Sequence, residues 1–134
     1  MKKMIGALSV FALLLGIVTP ALAGDDEDQY EQKVKHINSL ADKPGKMKVA
    51  LQRISTETGV PVDRVENQHK KNPDMGAAGI MLANVMSADT KKAPGYFVEQ
   101  RKAGKKWLTL AKENNIPVDR LNERLERLEK AIKG

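Results

Sequence analysis

An all-α fold is what this sequence predicts: a small bundle of about six helices containing two related helix–turn–helix hairpins. Three observations predict it. Apolar residues recur at spacings of three and four along most of the chain, which is the period of a helix. No segment alternates convincingly with period two, so no sheet is expected. A Pro-Val-Asp-Arg core occurs at 61–64 and again at 117–120, and the residues around it align as well.

The chain opens MKKMIGALSVFALLLGIVTPALAG. Lys2 and Lys3 precede an apolar run from Ile5 to Val18, Thr19-Pro20 breaks it, and Ala21-Leu22-Ala23 has the small-x-small form that signal peptidase accepts. The run is short for a membrane span, which needs roughly 20 apolar residues. Residues 1–23 are therefore read as a signal peptide, cleaved after Ala23, which places the protein in the periplasm or outside the cell. The organisation expected is 1–23 signal peptide, 24–29 flexible acidic N-terminus and 30–134 helical domain. Of the 23 Lys and Arg only Lys2 and Lys3 leave with the signal peptide, while all 17 acids stay, so the mature net charge is +4. There is no cysteine, hence no disulfide and no lipid-modified cysteine anchor. Stability must come from helix packing or self-association.

The acidic stretch 24–28, GDDED, has no apolar residue and reads as a solvated tail. No calcium loop of the EF-hand type follows it. Tyr30, Val34, Ile37 and Ala41 then mark an amphipathic helix over 27–41, ended by Lys43-Pro44-Gly45. Met47, Ala50, Leu51 and Ile54 line a second helix over 46–57, with Gly59 as its C-terminal cap. Pro61 starts a third, which carries Val62, Val65 and His69 to Lys71. Asn72-Pro73-Asp74 turns into MGAAGIMLANVMSAD at 75–89, the most apolar mature segment and the expected central helix. A short helix covers 96–103 up to Gly104, and another carries Trp107, Leu110 and Ala111 to Asn114-Asn115. The last helix starts at Pro117, and its Val118, Leu121, Leu125, Leu128 and Ile132 form a coiled-coil-like stripe over two heptads.

Aligning the two copies pairs Leu51 with Trp107, Ile54 with Leu110, and Val65 with Leu121. Asp63 and Asp119 fall in the first turn of their helices, where a carboxylate suits the positive end of the helix dipole. The repeat thus starts a helix and packs a valine behind it. A DNA-binding helix-turn-helix at 110–121, with Arg120 and Arg124 facing a groove, is the competing reading. Glu123, Glu126 and Glu129 on the same helix repel phosphate, and export removes the protein from chromosomal DNA, so no nucleic-acid partner is expected.

GKKWLTLAKENNIPVDRL, 104–121, resembles a Gly-x-x-Trp-x-x-[Leu/Ile]-Ala segment followed by an Asn/Gly-[Ile/Val]-Pro turn, found in small exported bacterial helical proteins. In them it often follows an Ala-rich helix, as 75–89 precedes it here. The resemblance spans roughly residues 48–128 and implies an all-helical exported domain. That family has no established activity, so it implies no site residue.

Enzyme signatures are missing: His36 and His69 have no serine or metal-ligand partners at useful spacing, and GAAG at 76–79 is not a phosphate loop. Met75, Met81 and Met86 do not share one helical face and read as core rather than a copper site. No catalytic residue, metal or cofactor is expected. The best candidate site is the basic, aromatic-bearing stretch 91–107, where Lys91, Lys92, Arg101, Lys102, Lys105 and Lys106 face a single acid, Glu99, beside Tyr96, Phe97 and Trp107. It suits an envelope polyanion, a membrane surface or another protein, against the alternative of a solvated face over buried aromatics. The terminal stripe, Leu121, Leu125, Leu128 and Ile132, packs either on its own domain or on a second copy of the chain. The expected function is therefore a non-catalytic cell-envelope protein that binds an anionic component or a protein partner. The alternative is a structural protein that self-associates through its last helix.

Overall fold

The computed structural model describes residues 13–134, with side chains from Asp26 onward. Seven α-helices follow one another: α1 Leu13–Ala41, α2 Lys46–Thr58, α3 Val62–Lys71, α4 Gly76–Thr90, α5 Pro94–Lys102, α6 Trp107–Glu113 and α7 Val118–Lys133. A 3-10 turn, Pro73–Met75, joins α3 to α4. There is no strand among the described residues. The expected all-α bundle is what forms. None of these helices is long and apolar enough to cross a membrane among the residues described.

The centre of the fold is α4. Every residue from Gly76 to Met86 is buried, so this helix has no solvent face over its first three turns. A helix that is apolar all round must be enclosed. The others enclose it with one stripe each: Tyr30, Val34, Ile37 and Ala41 from α1, Leu51 and Ile54 from α2, Val65 from α3, Phe97 and Val98 from α5, and Leu121, Leu125 and Leu128 from α7. All of them belong to one continuous core. Met81 and Met86 are fully enclosed and Met75 nearly so, which makes the three methionines core filler.

Burying a helix start creates a problem, because its first N–H groups have no partner within the helix. Asn38 of α1 solves it from outside. Its Oδ1 accepts the Ala78 N–H at 2.7 Å, and its Nδ2 donates to the Met75 carbonyl at 3.3 Å. The carboxamide lies where a side chain at position 76 would go, since a Cβ there would sit 2.3 Å from Asn38 Cγ. Gly76 also has φ +71°, in the left-handed region. Further along α4, Asn84 is the one buried polar side chain among the described residues. It exchanges two hydrogen bonds with Gln68 of α3, at 3.1 and 2.8 Å, and donates to the Ile80 carbonyl at 2.9 Å. This amide pair fixes α3 against α4 with both Asn84 N–H donors satisfied.

The two Pro-Val-Asp-Arg copies are two equivalent hairpins, α2–α3 and α6–α7. Pro61 and Pro117 occupy the N-caps, and Asp63 and Asp119 lie in the first turns. The residues before the prolines close the preceding helices with a left-handed residue, Gly59 at φ 76° and Asn115 at φ 56°. The closures differ in detail. Gly59 makes a single bond back to Ser55 O at 2.8 Å, whereas Asn115 and Ile116 bond to Lys112 O and Ala111 O, a Schellman motif. A third terminator follows the same plan at the end of α4. Ser87-Ala88-Asp89-Thr90-Lys91 repeats the geometry of Ser55-Thr56-Glu57-Thr58-Gly59, with Ser87 Oγ on Lys92 O and Ser55 Oγ on Val60 O, both at 2.6 Å. Lys91 takes the left-handed position at φ 66°.

The stretch 24–29, read above as a flexible tail, is part of α1. Two of its carboxylates have partners on α6 and at its N-cap: Glu27 accepts from Thr109 Oγ1, and Asp28 pairs with Lys106 at 2.9 Å. Charge without apolar content is ordered here by a neighbouring surface that the local sequence does not reveal.

Three substitutions test these contacts. Asn38→Ala leaves a buried N–H unpaired and lowers unfolding free energy by about 1–3 kcal/mol in urea titration. Gly76→Ala is destabilising by itself and costs less in the Asn38→Ala background, because part of its penalty is collision with that carboxamide. The Tyr30 hydroxyl is buried with no hydrogen-bond partner among the described residues. Tyr30→Phe is therefore expected to raise stability by about 1 kcal/mol at neutral pH. Burial, with the Glu31 charge adding to it, pushes the Tyr30 phenol well above the usual tyrosine value. The unfolded chain ionises from about pH 10 while the folded chain keeps its proton, so stability is lost as pH rises above that point. Melts at alkaline pH check that Tyr30→Phe loses less there than the parent.

Candidate functional site

The six predicted cations do not form one free patch. Arg101 forms a bidentate pair with Glu31 of α1, through Nη2 to Oε1 and through Nη1 to Oε2, the latter at 3.0 Å. Lys106 pairs with Asp28 at 2.9 Å, and Lys105 with Glu113 at 2.8 Å. Hydrogen bonding to those carboxylates raises both lysines above their ordinary value. Lys92 donates to Asn114 Oδ1 at 2.8 Å and sits 4.7 Å from the Tyr96 ring centroid. Lys102 donates to Asn72 Oδ1 at 2.8 Å, and Lys91 caps α4, exposed. The sequence shows a single acid inside 91–107, but the fold delivers three more from α1 and α6. The aromatics divide likewise: Phe97 and Trp107 are in the core, and only Tyr96, 40% exposed, is open to a partner.

What the fold does build is a groove of about 700 Å3 bounded by α1, the 3-10 turn and the α5–α6 connection. Val34, Met75, Pro73 and an edge of Trp107 supply its apolar lining. Lys35, Lys71, Arg101 and Lys102 bring positive charge to it, and Glu31 and Asp74 negative charge. Gln32, Asn38 and Asn72 add amides. Among the described residues Lys35, Lys71 and Lys102 make no ion pair, whereas both oxygens of Glu31 are occupied. One accepts from Arg101. The other accepts from Arg101 and from the Trp107 N–H at 3.0 Å.

The wall that carries Trp107 is shaped by local sequence. Gly104, at φ +105°, ends α5 with Gly104 N–H on Arg101 O and Lys105 N–H on Gln100 O, at 3.0 and 3.2 Å. This Schellman turn reverses the chain so that α6 begins at Trp107. The Arg101 guanidinium then lies 5.3 Å from the Trp107 ring centroid. Of the predicted cations only Arg101 and Lys102 line the groove. Lys35, Lys71 and Glu31 were missed, because no sequence spacing links positions 35, 71 and 102.

Of the two readings of the terminal stripe, packing on its own domain is the one the fold takes. Leu121, Leu125 and Leu128 are fully enclosed and Ile132 is 1% exposed, all against the chain's own helices. An amphipathic helix has one apolar face, and α7 uses it on α1, α2 and α4. Arg120 and Arg124, which the helix-turn-helix reading pointed outward, pair with Asp89 at 3.4 Å and with Glu57 at 3.4 Å. Arg53 and Arg127 meet the same Glu57 at 3.3 and 3.1 Å. His69 is half-buried on α3. No group of three acidic or histidine side chains able to hold a metal occurs among the described residues.

No family model, curated protein or solved structure matches this chain.

Leu125→Ala is expected to cost about 2–5 kcal/mol, the price of a cavity in a packed core. The loss should be the same at every protein concentration in denaturant titrations. A loss that shrinks as concentration rises would return the stripe to a subunit interface.

Proposed function

We propose that this chain is an exported, non-catalytic cell-envelope protein that works by binding an anionic partner in the groove between α1 and the α5–α6 connection. The observation that carries this reading is the convergence of Lys35, Lys71 and Lys102, without carboxylate partners among the described residues, around a concave site. Groups on three separate elements bring their charge to one place there, and a cavity concentrates an electrostatic potential better than a flat face does. The groove volume lies within the range of roughly 300–1,000 Å3 that holds small ligands or a few residues of a chain. The N-terminal pattern through Ala23 supports export, and so does the resemblance of 104–121 to small exported bacterial proteins. A non-catalytic role fits because the less exposed of the two lining carboxylates, Glu31, is held by Arg101 and the Trp107 N–H.

The exported protein, recovered from the envelope of an expressing host, should begin at Gly24. Titrated against polyphosphate, an acidic peptide, dodecanoate and phosphatidylglycerol vesicles, it should bind one of them with affinity that falls as salt rises. Combined Lys35→Gln, Lys71→Gln and Lys102→Gln should weaken that binding by about tenfold or more, on the scale of lost charge-assisted contacts. Lys91→Gln, Lys92→Gln, Lys105→Gln and Lys106→Gln together should change it far less. Binding that ignores salt, or that follows the second set of lysines, would sink the groove reading.

A further inference from the structure

Glu57, in the last turn of α2, gathers three guanidiniums. Its Oε2 lies 3.3 Å from Arg53 Nε, and its Oε1 lies 3.4 Å from Arg124 Nη1 and 3.1 Å from Arg127 Nη1. Arg53 is one turn back on α2, and Arg124 and Arg127 are one turn apart on α7, so the four side chains meet where these two helices pack. The carboxylate is closed off, its side chain 8% exposed, while the side chains of Arg53, Arg124 and Arg127 are 39%, 23% and 45% exposed. Helix structure accounts for one of the three. Arg124 donates to the Glu57 backbone carbonyl and also reaches Glu57 Oε1, which satisfies the end of α2 and pairs the acid. Arg53 and Arg127 bring two more positive charges to an acid already paired, and like charges gathered in one place repel. A second acid, Glu123, lies 3.6 Å from Arg127 Nη2 but is 61% exposed, where water weakens the pairing. With both acids counted, the cluster keeps an excess of positive charge. Much of its hydrogen-bonding capacity is also unused. Arg53 Nε is buried and out of line with Glu57, so it has no hydrogen-bond partner among the described residues. Arg124 and Arg127 each donate to Glu57 through Nη1 alone.

We infer that Arg53, Arg124 and Arg127 form an oxyanion site whose ligand is a phosphate monoester. A guanidinium is a planar fork whose parallel N–H groups fit two oxygens of one anion, and clusters of such forks are a recurring means of recognising phosphate groups. A phosphate monoester presents three acceptor oxygens and close to two negative charges at neutral pH. It therefore engages free edges of several guanidiniums at once and offsets the excess charge. Acetate, with two oxygens and one charge, does less of both. The site stands on α2 and α7 and shares no residue with the groove bounded by α1, the 3-10 turn and the α5–α6 connection. It does not depend on the anion-binding reading of that groove.

The test uses the exported protein carrying Lys35→Gln, Lys71→Gln and Lys102→Gln, so that the groove lysines contribute nothing. Thermal melts are followed by circular dichroism in inorganic phosphate and in acetate, each brought to constant ionic strength with sodium chloride. Phosphate is expected to raise Tm saturably, by about 3 °C or more, because a ligand of the folded state alone stabilises it. Acetate should need at least about tenfold higher concentration for the same effect. Adding Arg53→Gln and Arg127→Gln should leave Tm in chloride within about 2 °C, as for exposed ion pairs, and abolish the phosphate response. Adding Glu123→Gln instead removes the acid that competes for Arg127, and should lower the phosphate concentration at half-effect by about twofold or more. That variant decides the matter even where the double arginine variant folds poorly. A rise in Tm that never saturates, or that survives loss of both arginines, is the general salting effect of phosphate and overturns the inference. An equal response to acetate overturns it too, and so does a Glu123→Gln protein that responds as its parent does. Sedimentation with phosphatidate vesicles, lost in the double arginine variant, assigns the phosphate to a lipid. Its absence beside an intact phosphate response supports a free phosphate compound.

Discussion

A buried helix with both its sides and its start enclosed is the constraint on which this structure depends. Helix α4 has no solvent face from Gly76 to Met86, so water does not supply partners for its first N–H groups. Asn38 supplies them from α1, and the space for its carboxamide exists only because position 76 is glycine. One polar side chain therefore fixes the crossing of α1 and α4. Everything that α1 carries is positioned by that crossing: its apolar stripe over the core, its carboxylates at the start of α6, and one wall of the groove.

The same crossing decides the electrostatics of the surface. Exposed ion pairs such as Lys106–Asp28 and Lys105–Glu113 contribute little stability, commonly below about 1 kcal/mol each. Their effect on the field is larger, because each cancels a charge that a partner would otherwise meet. Glu31 does two things at once. It completes the α6 start through the Trp107 N–H, and it neutralises Arg101 while holding it beside the indole. Around the groove, Lys35, Lys71 and Lys102 stay without a carboxylate partner among the described residues. A chain with a net charge of +6 thus presents a local concentration of positive charge at one concave place.

Much of the fold was legible in the sequence. The stripes of α1, α2 and α7 are written at three- and four-residue spacings, and the left-handed caps at Gly59 and Gly104 are marked by glycine. The repeat correctly announced two hairpins, and the apolar run 75–89 the central helix. A third terminator at Ser87–Lys91 was missed because lysine stands where glycine or asparagine advertises the turn, and its Ser and Thr side chains carry the signal instead. The candidate site was much less legible. The stretch 91–107 was counted with its own acids only, while the carboxylates that neutralise half of its cations lie about 70 residues away on α1 or within α6. The acidic run 24–29 looked like a tail for the complementary reason.

The sequence by itself determined the helices, their order, their buried faces and the turns between them, since period, capping residues and proline act over a few neighbours. It determined too that no disulfide contributes. Tertiary structure alone decided which charges cancel, which face of α7 is hidden, how the start of α4 is satisfied and where a concavity is left over. Those depend on side chains brought together across the whole chain, such as Asn38 with Ala78 and Glu31 with Arg101. Ion pairing and groove formation respond to distance in space, and a one-dimensional pattern of residue types carries no such distance.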